Sequence, residues 1–258
     1  MQSLPRNKTS GAGRSIFFAI SLFAIFLPEL LFAQLIRKSE VSFDASDGLT
    51  VTANLFHSKK SNPYVILFHQ ELSSKGEFDS IASRFIKMNY NCMAVDLRSG
   101  DNLGFSKNET AARAKEGGYP LGLSDAAKDM AAAIDFLFEF SGKKVSLFGS
   151  ASSASLAAMV GRDNEHVKAV VAFSPGEYFA PETELKNIFA NYPKPVFVAC
   201  TATEYAYLSD IEGFPGQDRV LFKPTRGEGL RGTSALLKEN PSRDEYWLSL
   251  LLFFRSLQ

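Results

Sequence analysis

The chain has 258 residues, 45% of them hydrophobic, and its 28 Lys and Arg balance 28 Asp and Glu to a formal net charge of +0. That is enough apolar material for one sizeable core, since about 200–250 residues is ordinary for a single α/β domain. The balanced charge gives no ground for a nucleic-acid partner, and two cysteines without metal-type Cys/His spacing give none for a metal or other cofactor.

Arg6, Lys8 and Arg14 precede the apolar run "IFFAISLFAIFL" (Ile16 to Leu27), followed by Pro28, Glu29 and "LLFAQ". Basic residues, a short apolar centre and a small residue read as a signal peptide over 1–33, cut after Ala33, although Leu31 is larger than a cleavage site prefers. The expectation is an exported protein, secreted or periplasmic, with one mature domain over 34–258. An uncleaved membrane anchor is the alternative, but Glu29 interrupts the run before the ~18–20 apolar residues that a span needs.

Val41 to Phe43 and Leu49 to Phe56 flank Asp47-Gly48, the pattern of a β-hairpin. Tyr64 to Phe68 is a continuous apolar run suited to a buried parallel strand, and Asn91 to Val95, Val145 to Phe148, Val167 to Phe173, Pro195 to Cys200 and Arg219 to Phe222 are strand-like as well. Helical spacing predicts helices over Phe78 to Met88, Ser124 to Phe140 with Ser124 as N-cap, Ser152 to Val160, and Arg243 to Ser256. Arg98 to Leu123 reads as a long polar loop, with no room for a large inserted lid. The fold class is α/β: a mostly parallel eight-stranded sheet with helices on both faces and an N-terminal β-hairpin. Cys92 and Cys200 fall inside strands as buried free thiols.

The ordered segments "LFHQELSS", "AVDLRSG", "LFGSASSAS", "VVAFSPGEYF" and "PVFVACTATE", behind the hairpin, resemble the α/β-hydrolase fold, and within it the dienelactone-hydrolase and serine-aminopeptidase-like members. The resemblance runs from about Val41 to the C-terminus. It implies a serine on a strand-to-helix elbow, an acid after a later strand and a histidine after the last strand, with backbone N–H groups holding an oxyanion.

Two of those three groups are missing. Gly149-Ser150-Ala151-Ser152-Ser153 fits the elbow with Ala151 where the nucleophile belongs, and Arg231 stands at the histidine position before Gly232. Glu204 fits the acid, with Asp210 as a second choice. A guanidinium stays protonated at any working pH and cannot act as general base, but it can pair with Glu204. His69 and Gln70 match the loop that gives the second oxyanion N–H, and Ser150 and Ser152 flank the pocket. His57 and His166 are expected to be exposed. Asp96-Leu97-Arg98 reads as a loop brace, Ser174 to Glu177 as pocket lining, and the sequons at Asn7 and Asn108 as weak motifs.

Three functions follow. The first is a catalytically impaired or inactive hydrolase relative that keeps a cleft for a small-molecule or ester-like ligand. The second is an active esterase, lactonase or peptidase-like serine hydrolase using Ser152 or Ser150, with His69 as base and Glu204 as acid. The third is a surface scaffold or interaction protein, with membrane contact only if the N-terminal segment stays uncleaved.

Overall fold

Gly48, at φ 85°, turns the chain between β1 (Arg37–Asp44) and β2 (Thr50–His57), a left-handed conformation that glycine adopts without strain. The two strands pair antiparallel, Asp44 opposite Thr50 and Arg37 opposite His57. The structure, a computed structural model, describes residues 1–2, 36–102 and 106–258. The leader or anchor expected over 1–33 therefore lies outside the described residues apart from its first two positions, as does the Asn7 sequon.

Six further strands complete the sheet: β3 (Tyr64–Phe68), β4 (Asn91–Val95), β5 (Val145–Ser150), β6 (Val167–Phe173), β7 (Val196–Ala199) and β8 (Arg219–Phe222). Their order is β1-β2-β4-β3-β5-β6-β7-β8, antiparallel through the first two pairings and parallel from β4 to β8. This is the mostly parallel sheet with an N-terminal hairpin that the apolar runs predict. Strand residues alternate between two cores, as a pleated strand covered on both faces must. Ile66 and Phe68 pack on one face with Met130, Ile134 and Leu137 of α3 (Ala126–Ser141) and Leu156 of α4 (Ser152–Arg162). Val65 and Leu67 pack on the other with Phe85 and Ile86 of α1 (Ala82–Lys87) and Trp247, Leu250 and Phe254 of α7 (Arg243–Ser256).

The single helix expected over Phe78 to Met88 is a 3-10 turn, Lys75–Phe78, followed by α1. The loop expected over Arg98 to Leu123 contains α2 (Glu109–Glu116), whose N-cap is Asn108: its Oδ1 accepts from Ala111 N–H at 2.8 Å. The Asn108 amide nitrogen donates to Ser73 O and Leu97 O, and the residue is buried, so this sequon presents no acceptor in the folded chain. Two short helices were not expected, α5 (Leu185–Phe189) and α6 (Ala202–Leu208). The N-cap of α3 is Asp125, with no side-chain cap bond, rather than Ser124.

Asp96 and Arg98 brace the loop after β4. The Asp96 carboxylate accepts from Lys75 Nζ at 2.6 Å, Lys75 N–H and Glu109 N–H. Arg98 is fully buried and bonds two carboxylates, Asp47 in the hairpin turn at 2.6 Å and Asp129 on α3 at 2.8 Å. Its hydrogen bonds hold the Asp47 carboxyl well below the usual carboxylate range. A depressed folded-state pKa gives stability that is complete above the unfolded value, about 4, and is lost as the pH falls below it toward the folded value. Asp47→Asn is expected to lower the urea midpoint at pH 7, and the gap to the parent is expected to narrow progressively as the pH falls below about 4. A gap that is constant with pH would contradict this linkage.

Candidate active site

The turn from β5 into α4 is a strained one. Ala151 sits between them at φ 50°, ψ −114°, a backbone region costly for any residue with a Cβ. Gly149 makes the turn possible, because a Cβ there would lie 2.3 Å from Ser153 O. The register puts Ala151, not Ser152, at the apex.

The serines around Ala151 tie the elbow to its neighbours. Ser150 Oγ accepts from Thr233 N–H at 3.0 Å, and Ser152 Oγ accepts from Glu71 N–H at 3.0 Å. Ser153 Oγ donates to His69 O at 2.6 Å, and Ser155 Oγ bonds Gly176 at both its O and its N–H. Ser150 is fully buried and Ser152 nearly so. Ser152 is thus linked to the loop after β3 through its hydroxyl, and not to an imidazole.

His69 is fully buried, and both ring nitrogens are committed. Leu97 N–H donates to Nε2 at 2.9 Å, which places the ring proton on Nδ1, 2.7 Å from Gln70 O. The Ser152–His69 dyad required by the active-enzyme reading is not formed. Gln70 N–H, the expected oxyanion donor of this loop, is taken up by Glu77 Oε2 at 3.2 Å. His57 and His166 are half-buried rather than exposed: His166 stacks on Phe138 with ring centroids 3.8 Å apart and meets Asp135 at 3.2 Å.

Glu204 and Arg231 do come together. Glu204 lies in the first turn of α6, where a capping box with Thr201 fixes it. Its Oε1 accepts from Arg231 Nε at 2.6 Å, while Oε2 accepts from Ser174 Oγ at 2.8 Å and Thr201 N–H at 3.0 Å. Ser174, at the end of β6, in turn accepts from Gly232 N–H at 3.0 Å. Burial opposes the Arg231 charge, but the hydrogen bond and charge of Glu204 outweigh it and hold the guanidinium above its ordinary value. Arg231 remains 61% exposed and also reaches Tyr178 Oη at 3.5 Å. Gly232, at φ 55°, closes onto the elbow: a Cβ there would be 2.6 Å from Ser150 Oγ and 3.8 Å from the Ala151 methyl. Asp210 lies exposed beyond the far end of α6, away from this group.

A cleft of about 510 Å³ opens beside the pair, lined by Thr201, Thr203, Glu204, Tyr207 and the run from Glu228 to Arg231, so it holds a second acid, Glu228. Burial, followed by the Glu204 charge, pushes the Tyr207 phenol up to about 12, so it stays a neutral donor. The cleft sits outside the carboxyl ends of β7 and β8, where open α/β sheets take their ligands. Tyr178 carried no sequence signal for its reach to Arg231. Ser174 stood out only as lining, and its link between Glu204 and Gly232 needs the fold.

The model of the dienelactone hydrolase family matches residues 51–204. An esterase from Pyrococcus furiosus superposes with a TM-score of 0.65 at 16% identity, over 86% of this chain and 93% of its own. A dienelactone hydrolase from Anabaena variabilis gives 0.64 at 16% identity, over 86% and 98%. No curated protein is similar enough in sequence to match.

Proposed function

Because this chain belongs to the dienelactone hydrolase family, we propose that it is a catalytically silent member that keeps the strand-end site as a cleft for a small ester-like or carboxylate ligand. The observation that carries the reading is the Glu204–Arg231 ion pair beside an alanine-bearing elbow. Hydrolysis by the triad route moves a proton from a nucleophile to a base while the acid orients that base. The Ala151 methyl has no lone pair to attack with, and a guanidinium held charged has no site to receive a proton. Triad members act as a unit, so losing either costs up to ~10⁶ in turnover.

What remains at the site is recognition. The Arg231 guanidinium uses Nε on Glu204 and presents its other edge toward Tyr178 and the cleft, a geometry suited to a carboxylate oxygen. The basic-then-apolar N-terminus supports an exported protein, secreted or periplasmic, whose cleft samples ligands outside the cytoplasm.

Folded protein treated with a fluorophosphonate probe is expected to remain unlabelled and to turn over p-nitrophenyl acetate no faster than buffer. Labelling that disappears in Ser152→Ala would overturn the reading and identify a displaced nucleophile.

A further inference from the structure

The end of the sheet opposite the cleft is strongly basic. β3, β4 and β5 start there, and the segments leading into them, 57–63, 87–91 and 141–145, contain no Asp or Glu. They carry Lys59, Lys60, Lys87, Lys143 and Lys144, all exposed, and Arg37 joins them at the start of β1, opposite His57. The segments are fastened together. Lys143 Nζ donates to Ser61 O, the Asn91 side chain bonds Ser58 N–H at 3.1 Å and Lys59 O at 2.8 Å, and Lys60 Nζ lies 4.9 Å over the Phe140 ring. Among the described residues, none of the six cations forms an ion pair. The acids at this end are Glu139 near the end of α3, Asp163 and Glu165 between α4 and β6, and Asp218 before β8.

Lys194, before β7, extends the field. Burial, with the neighbouring Lys144 charge, holds its ammonium below the usual lysine range. A chain with net charge +0 that gathers these cations at one end is electrically polarised along its strands. The chain also enters the domain on this end, at Arg37, ten residues after the apolar run that stops at Leu27. Six basic residues gathered on one face make a cluster of the size that attracts anionic lipid headgroups. Among the described residues no helix is long and apolar enough to cross a membrane, so contact by this domain is contact at a surface.

We propose that the face formed by Arg37, Lys59, Lys60, Lys87, Lys143 and Lys144 docks on an anionic lipid surface and turns the Glu204–Arg231 cleft toward the aqueous side. It holds whether or not the cleft is catalytically silent.

The test is sedimentation of the full chain with vesicles of phosphatidylcholine alone and of phosphatidylcholine with one part in three phosphatidylglycerol. Arg6, Lys8 and Arg14 of the N-terminal segment also favour the anionic vesicles, so the face is isolated by comparing variants in the same full chain. Wild-type protein is expected to prefer the anionic vesicles at least tenfold, and added salt is expected to erode the preference. Lys59→Gln, Lys60→Gln, Lys143→Gln and Lys144→Gln together are expected to lower affinity for those vesicles by up to roughly a thousandfold, at about fivefold per residue. The same exchange at Lys107, Lys115, Lys186 and Lys238 is expected to preserve the preference. Equal binding to both vesicles, or a preference that survives the first set with an unchanged melting temperature, overturns the proposal. Binding to heparin but not to anionic vesicles assigns the face to another polyanion and also overturns it.

Discussion

Ala151→Ser combined with Arg231→His is expected to raise ester hydrolysis about 10³-fold above the parent chain, while either exchange alone leaves it unchanged. A complete triad contributes on the order of 10⁶, and its members act as a unit, which is why the single variants gain nothing. One oxyanion donor is worth about 10²–10³, and here Gln70 N–H is held by Glu77, so that share is withheld. The remaining parts are in place. Glu204 presents Oε1 to the side chain now at 231, and a Cβ at Gly232 would stand 3.8 Å from the Ala151 methyl. Turnover of p-nitrophenyl acetate and fluorophosphonate labelling measure the gain. A double variant that melts like the parent yet stays inert would show that 151 and 231 are not the positions that the chemistry needs.

Arg98→Ala is expected to cost about 3–5 kcal/mol, the range for breaking a buried ion pair by removing one partner. Asp129 is fully buried and takes three hydrogen bonds from the Arg98 side chain and one from its backbone N–H. Without the guanidinium its charge is left uncompensated beneath α3. At ~2–4 °C per kcal/mol for a domain of this size, the melting temperature is expected to fall by roughly 10 °C. Arg98→Ala with Asp129→Ala is expected to recover part of the loss, because the orphaned charge is gone. A single-variant loss below ~1 kcal/mol would contradict the assignment.

The sheet was legible because its strands are continuous apolar runs with sharp polar ends. Tyr64 to Phe68 and Val167 to Phe173 begin and end where their sequences indicate. Two of the helices that escaped, α2 and α6, are held by caps more than by apolar periodicity. Asn108 caps α2, and Thr201 and Glu204 box the start of α6, yet the first reads as a sequon and the second as a triad acid. Phe78, Phe85 and Ile86 share one core face, so a helical period runs across a break that sequence spacing does not show. At the site, the residue types at 151, 204 and 231 could be read from position. The fate of His69 could not, because it is decided by Leu97 N–H, 28 residues away in the chain.

The elbow at Ala151 is held by contacts that have nothing to do with turnover. A side chain at Gly149 would collide with the start of α4, one at Gly232 would collide with Ser150, and four serine hydroxyls fasten the turn to the loops after β3 and β6 and to Thr233. Selection for a folded protein alone is then enough to preserve the outline of a hydrolytic centre. A lineage that had lost its chemistry would keep this turn all the same, inherited through stability rather than through use.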